Sequence, residues 1–153
     1  MRILCSIAAI YGCAIVLTVA SGCGHKTDIR PPEFVAPEGV GDLALSIEKE
    51  GVRLRWSRPL HYADGSDMDD LGAFVVMRAS RDSAETRTFE RIAIVPVEDR
   101  ERFQQTKKFV YTDVGLTSGT FYRYRVFAVT LDGYQGNNSN TVELVWRDDR
   151  TQD

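Results

Sequence analysis

LTSGTFYRYRVFAV, Leu116 to Val129, alternates with a period of two once it passes its Ser-Gly-Thr turn. That period marks a half-buried strand. It predicts Tyr122, Tyr124, Val126 and Ala128 pointing into a core, with Phe121, Arg123, Arg125 and Phe127 on the opposite side. Gly119 and its neighbours read as the turn that feeds the strand.

The same signal recurs outward along the chain. Leu43, Leu45 and Ile47 alternate with Ala44, Ser46 and Glu48; after Glu50-Gly51, Val52, Leu54 and Trp56 alternate with Arg53, Arg55 and Ser57. Ala73 to Ser80, Phe89 to Val95, Phe109 to Thr112 and Thr141 to Trp146 are further runs rich in β-branched and aromatic residues. No stretch holds a helical 3.6-residue period, although the charged segment from Glu98 to Lys108 suits a solvated turn of helix. Seven short strands with turn sequence between them predict an all-β, seven-stranded sandwich.

Several of these stretches resemble a fibronectin type III domain. Leu116, Gly119-Thr120, Tyr122, Tyr124, Val126 and Ala128-Val129 match the turn and the strand F that follows it in that family. VRLRWSRP resembles strand B with its tryptophan, YADGSDMDDLGAFVVMR the next loop and strand C, FVYTDVGL strand E, and NSNTVEL the start of strand G. The resemblance runs from about Val40 to Trp146. It implies an immunoglobulin-like sandwich in which strands C and F share a sheet, and a tyrosine corner in which the Tyr122 hydroxyl bonds back to the chain near Leu116. These are framework positions and name no ligand. Arg-Gly-Asp is absent, and the charged interval from Arg81 to Lys108 is longer than the family pattern.

The N-terminus carries a different message. Arg2 precedes an uncharged apolar stretch, Ile3 to Ala20, and Ala20-Ser21-Gly22 leads into Cys23. This has the layout of a secretory signal and resembles the lipobox of bacterial lipoproteins, with alanine where leucine is commonest. The resemblance implies cleavage before Cys23 and a lipid on its thiol. Each buried CH₂ adds roughly 0.8 kcal/mol, and two or more chains anchor stably. An uncleaved membrane-spanning helix is the alternative. Cys5 and Cys13 lie within the leader, so the mature chain is expected to rely on its core rather than on disulfides. Four parts are expected: a leader at 1–22, a lipidated tether at 23–39, the domain at 40–147 and a polar tail at 148–153. Pro31, Pro32 and Pro37 favour a semi-stiff spacer; an ordered arm packed through Ile29, Phe34 and Val35 is the other reading.

The chain has 19 basic and 22 acidic residues, a formal charge of −3. That balance argues against a nucleic-acid partner, which requires concentrated basic surface. Catalysis has few candidates: His25 in the tether, and His61, which could pair with Ser57 or an aspartate. Asp64, Asp67, Asp69 and Asp70 could supply oxygen ligands to Ca²⁺, but their spacing is not that of an EF-hand and equally suits a solvated turn. The outward face is the better binding candidate. Val75 and Met77 on strand C beside Arg123, Arg125 and Phe127 on strand F form a mixed apolar and cationic patch, unless the segment from Arg81 to Lys108 folds over it.

The expected protein is therefore a lipid-anchored envelope lipoprotein, at the outer membrane because Gly24 follows Cys23. It displays a non-catalytic module that binds an envelope protein or polysaccharide and has no cofactor beyond the covalent lipid. A structural spacer or assembly factor is the alternative, since Cys23-Gly24-His25-Lys26 with Pro31-Pro32 faintly resembles a small lipoprotein of lipopolysaccharide export.

Overall fold

Strands form where the alternation placed them: β1 (Ala44–Glu48), β2 (Gly51–Ser57), β3 (Leu71–Arg81), β4 (Glu90–Pro96), β5 (Lys108–Asp113), β6 (Phe121–Thr130) and β7 (Val142–Val145), with one short helix, α1 (Asp99–Arg102). The computed structural model describes residues 31, 35–81 and 88–147. The leader, Cys23, residues 24–30 and 32–34 of the expected tether, and the tail 148–153 lie outside these residues. Among the described residues no helix is long and apolar enough to cross a membrane.

Two antiparallel sheets face one another, one ordered β1-β2-β5 and the other β4-β3-β6-β7. β3 and β6 pair over ten positions, from Leu71↔Thr130 to Arg81↔Phe121. Along β6 the residues alternate between half-buried and buried for the whole strand, as a sheet with one face on the core requires. Val52, Leu54 and Trp56 are fully buried on β2, while Arg53 and Arg55 are exposed. Ile47 keeps the face expected of it but sits beyond the core and is 64% exposed.

Aromatic rings fill the centre. Trp56 meets Phe74 edge-on at 5.5 Å, and Phe109 packs 4.7 Å from Phe74. Burying each of these side chains contributes about 1.5–3 kcal/mol. The Trp56 indole N–H has no hydrogen-bond partner among the described residues, so packing rather than polar contact holds it there. Tyr122 is 4% exposed and its hydroxyl accepts the Thr117 N–H at 3.0 Å, which forms the corner expected near Leu116. Gly119, at φ +83°, supplies the left-handed residue of that turn.

One buried polar group joins the sheets. Asp113, at the end of β5, is 5% exposed and accepts from Arg78 Nη1 of β3 at 2.9 and 3.1 Å and from the Tyr124 hydroxyl of β6 at 2.8 Å. Arg78 therefore points inward, opposite Tyr124, and its guanidinium lies 5.5 Å from the centre of the Tyr122 ring. Burial and the adjacent Asp113 push the Tyr124 hydroxyl far above its usual range, so it stays a donor.

The expected boundary at 39/40 falls inside an ordered arm. Pro37 is fully buried; Ala63 N–H donates to the Ala36 carbonyl at 2.8 Å, and Glu38 N–H donates to the His61 carbonyl at 2.9 Å. The arm lies between the loop after β2 and the loop after β6, where a Cβ on Gly136 would stand 2.5 Å from the Pro37 carbonyl oxygen.

Two outcomes follow from this packing. Arg78→Met leaves the Asp113 carboxylate buried without its cation, and urea unfolding should show a loss of about 3–5 kcal/mol. Gly136→Ala should push the arm out of its groove. The expected result is faster protease cleavage between residues 35 and 39 and a melting temperature lower by a few degrees, read by mass spectrometry and calorimetry.

Candidate functional site

The outer face of the four-stranded sheet carries the residues singled out above. Pairing sets Val75 opposite Phe127, Met77 opposite Arg125, Ala79 opposite Arg123 and Arg81 opposite Phe121. All eight therefore point away from the core. The order along β6 is aromatic, arginine, arginine, aromatic.

The arginines are stacked on rings. Arg125 lies 4.5 Å and Arg123 5.5 Å from the centre of the Phe89 ring, and Arg81 lies 5.0 Å from that of Phe121. Such contacts contribute about 0.5–1 kcal/mol each at a surface. Arg125 Nε also donates to Thr141 Oγ1 at 2.8 Å. Arg123 Nε is buried without a hydrogen-bond partner, with Glu143 Oε2 3.7 Å away on β7. Guanidiniums held this way lose little freedom when a partner arrives.

One expected contact is corrected. Val75 points outward, as alternation demands, but it is only 8% exposed because it sits between Ile94 of β4 and Phe127 of β6. It forms the floor of the face rather than a contact on it. Exposed apolar surface comes instead from Ile94, 54% exposed, and Val145. The long interval after β3 does not fold across this face as a whole. Its residues 90–96 extend the sheet as β4, and of its described residues Phe89 is the one stacked on the arginines. Residues 82–87 lie outside the described residues.

The acidic loop scatters its carboxylates. Asp64 Oδ1 accepts from the Ser66 N–H at 2.9 Å and hydroxyl at 2.6 Å, around Gly65 at φ +84°. Asp70 Oδ1 accepts from the Tyr62 hydroxyl at 2.7 Å, Asp67 lies 3.5 Å from His61 Nε2, and Asp69 is exposed. Among the described residues no group of three or more acidic, histidine or cysteine side chains is placed to hold a metal ion. His61 faces Glu38 at 3.8 Å and Asp67, whereas the Ser57 hydroxyl donates to Asp42 Oδ2 at 2.6 Å and also contacts Lys108 Nζ. The suggested pairing of His61 with Ser57 is therefore not formed.

Asp42 is a stabilising group at the edge of this arrangement. Partial burial works to raise its pKa, but hydrogen bonds from Lys108 Nζ at 2.8 Å and from Ser57 outweigh it and hold the carboxyl at about 2, below the ordinary 3.8. A lowered folded-state pKa contributes stability that is complete above 3.8 and is lost as pH falls through about 2. The group is largely exposed, so the contribution stays below about 1 kcal/mol. Asp42→Asn should flatten the acid limb of the stability curve across that window, measured by chemical denaturation at successive pH values.

No protein-family model matches the sequence, and no curated protein matches it. Solved structures do. The third fibronectin III domain of the human KIAA0343 protein superposes with a TM-score of 0.52 at 12% identity, covering 88% of this chain and 97% of that domain. The twitchin kinase region from C. elegans gives 0.53 at 16% identity over 77% of this chain, and titin domains A168–A170 give 0.50 at 16% over 73%. The chain spans 18% and 32% of the length of those two. At these identities the likeness concerns the fold, which is that of a fibronectin type III-like sandwich.

Proposed function

We propose that the chain is a lipid-anchored module of the bacterial envelope that binds a partner through the outer face of its four-stranded sheet. The observation that carries the binding role is the set of stacked arginines. Arg81, Arg123 and Arg125 are pre-oriented on Phe121 and Phe89, beside Met77, Phe127 and Val145. Aromatic and arginine side chains on a pre-oriented surface are the types that dominate binding energy. The partner is an envelope protein or polysaccharide, and no cofactor enters beyond the lipid.

The anchor is supported by the Ala20-Ser21-Gly22-Cys23 stretch behind its apolar run, and Gly24 favours the outer membrane.

With residues 1–22 replaced by a leader whose cleavage does not need lipid, Cys23→Ser should move the protein from the membrane pellet to the soluble fraction and remove acyl mass from its N-terminus. In the lipidated chain, Arg125→Glu with Phe127→Glu should leave membrane recovery unchanged and abolish cross-links to the partner. Retained cross-links would reject this face. An intact leader with an unmodified thiol would reject the anchor.

A further inference from the structure

At the end of the sandwich that receives the arm, Arg58 is 7% exposed. Its Nε donates to the Pro59 carbonyl at 3.3 Å and its Nη2 to the Met68 carbonyl at 3.0 Å. No carboxylate forms an ion pair with it among the described residues. Burial and the nearby Arg102 both disfavour its charge. A buried charge near a second cation, with no carboxylate paired to it, is costly; Arg58 follows β2 and Arg102 belongs to α1, so the fold itself brings them together.

Arg102, in the last turn of α1, is similarly fixed. Its Nε donates to the Leu71 carbonyl at 3.1 Å and its Nη2 to Asp99 at 2.9 Å, with the side chain 13% exposed. Arg58 and Arg102 both line a cleft of about 220 Å³ together with His61, Asp67 and Gln105. Phe103 stands at its rim, 70% exposed. The cleft's carboxylate, Asp67, is fully exposed and turned to His61.

We infer that this cleft binds a phosphate group, with Arg58 and Arg102 as its principal donors and His61 and Gln105 as secondary ones. The guanidinium fork matches phosphate oxygens in pairs, and carbonyl contacts already hold both forks in place. A water's share of liquid volume is about 30 Å³, so the cleft has room for a tetrahedral phosphate and part of the group it esterifies, against which Phe103 can pack. The phosphate can come from a lipid headgroup or from a soluble ester. The site itself is independent of the sheet face and of the anchor.

The mature chain, residues 23–153 with Cys23→Ser, should be titrated with inorganic phosphate at constant ionic strength, following the arginine Nε–H resonances by NMR. Saturable shifts at Arg58 and Arg102, with Arg123 and Arg125 unmoved, are expected, together with a raised melting temperature. Arg102→Gln should weaken binding about tenfold, the loss of a charge-assisted contact, and Phe103→Ala should leave inorganic phosphate binding intact while keeping the fold. Co-sedimentation with phosphatidic acid vesicles but not phosphatidylcholine vesicles, abolished by Arg102→Gln, identifies the lipid source. Phosphate binding without vesicle binding identifies a soluble ester. Shifts reproduced by acetate or chloride at equal ionic strength, unaltered affinity in Arg102→Gln, or no saturable shift at Arg58 would overturn the inference.

Discussion

The two sheets are joined at their centre by packed rings and at one end by a carboxylate. Packing is tolerant: aromatic and aliphatic side chains fill a sandwich in more than one register, and rings can slide at modest cost. Asp113 is not tolerant. It sits on β5 and accepts from β3 and β6 at once, so only one relative placement of the sheets satisfies it, and any other leaves a charge buried alone. Its cation also lies near the ring of Tyr122, whose hydroxyl closes the corner before β6. Inter-sheet geometry and the entry of β6 therefore depend on the same few atoms.

This explains what could and could not be read from the sequence. The strands were legible because each keeps one face dry, and a period of two survives in Val52, Leu54 and Trp56 or along β6 whatever the partner strands are. Tyr122 was legible because the residues around it resemble a known corner. Arg78 and Asp113 were not. In sequence each reads as a polar residue near a strand end, and nothing local states that the two meet across 35 positions. The sequence left the arm open between a spacer and an ordered segment for a related reason: Pro37 suits either, and its burial depends on loops far along the chain. Phe89 read only as the start of a strand, while its role comes from standing over arginines on another strand.

Alternation also gave direction without accessibility. It placed Val75 correctly outward, yet an interior strand of a sheet has neighbours on both sides, and β4 supplies one that covers it. Outward positions on edge strands remain open, which is why Ile94 and Val145 are exposed while Val75 is not. For the face as a binding surface, the consequence is a gradient. Apolar contact is available at the rims, and cationic contact lies over β6, where rings restrain the guanidiniums.

The clamped arm ties the remaining pieces into one mechanical unit. The loop after β2 holds the arm through the His61 carbonyl and holds Asp67 through the His61 ring, while Arg58, immediately after β2, anchors the same loop through Met68. Release of the arm would free one side of that loop, and with it the wall of the cleft beside Arg102. The sheet face has no such link, since β3 and β6 are fixed by their ladder over ten positions and by Asp113. The loop end of the sandwich and the stacked arginines are therefore held by separate sets of contacts.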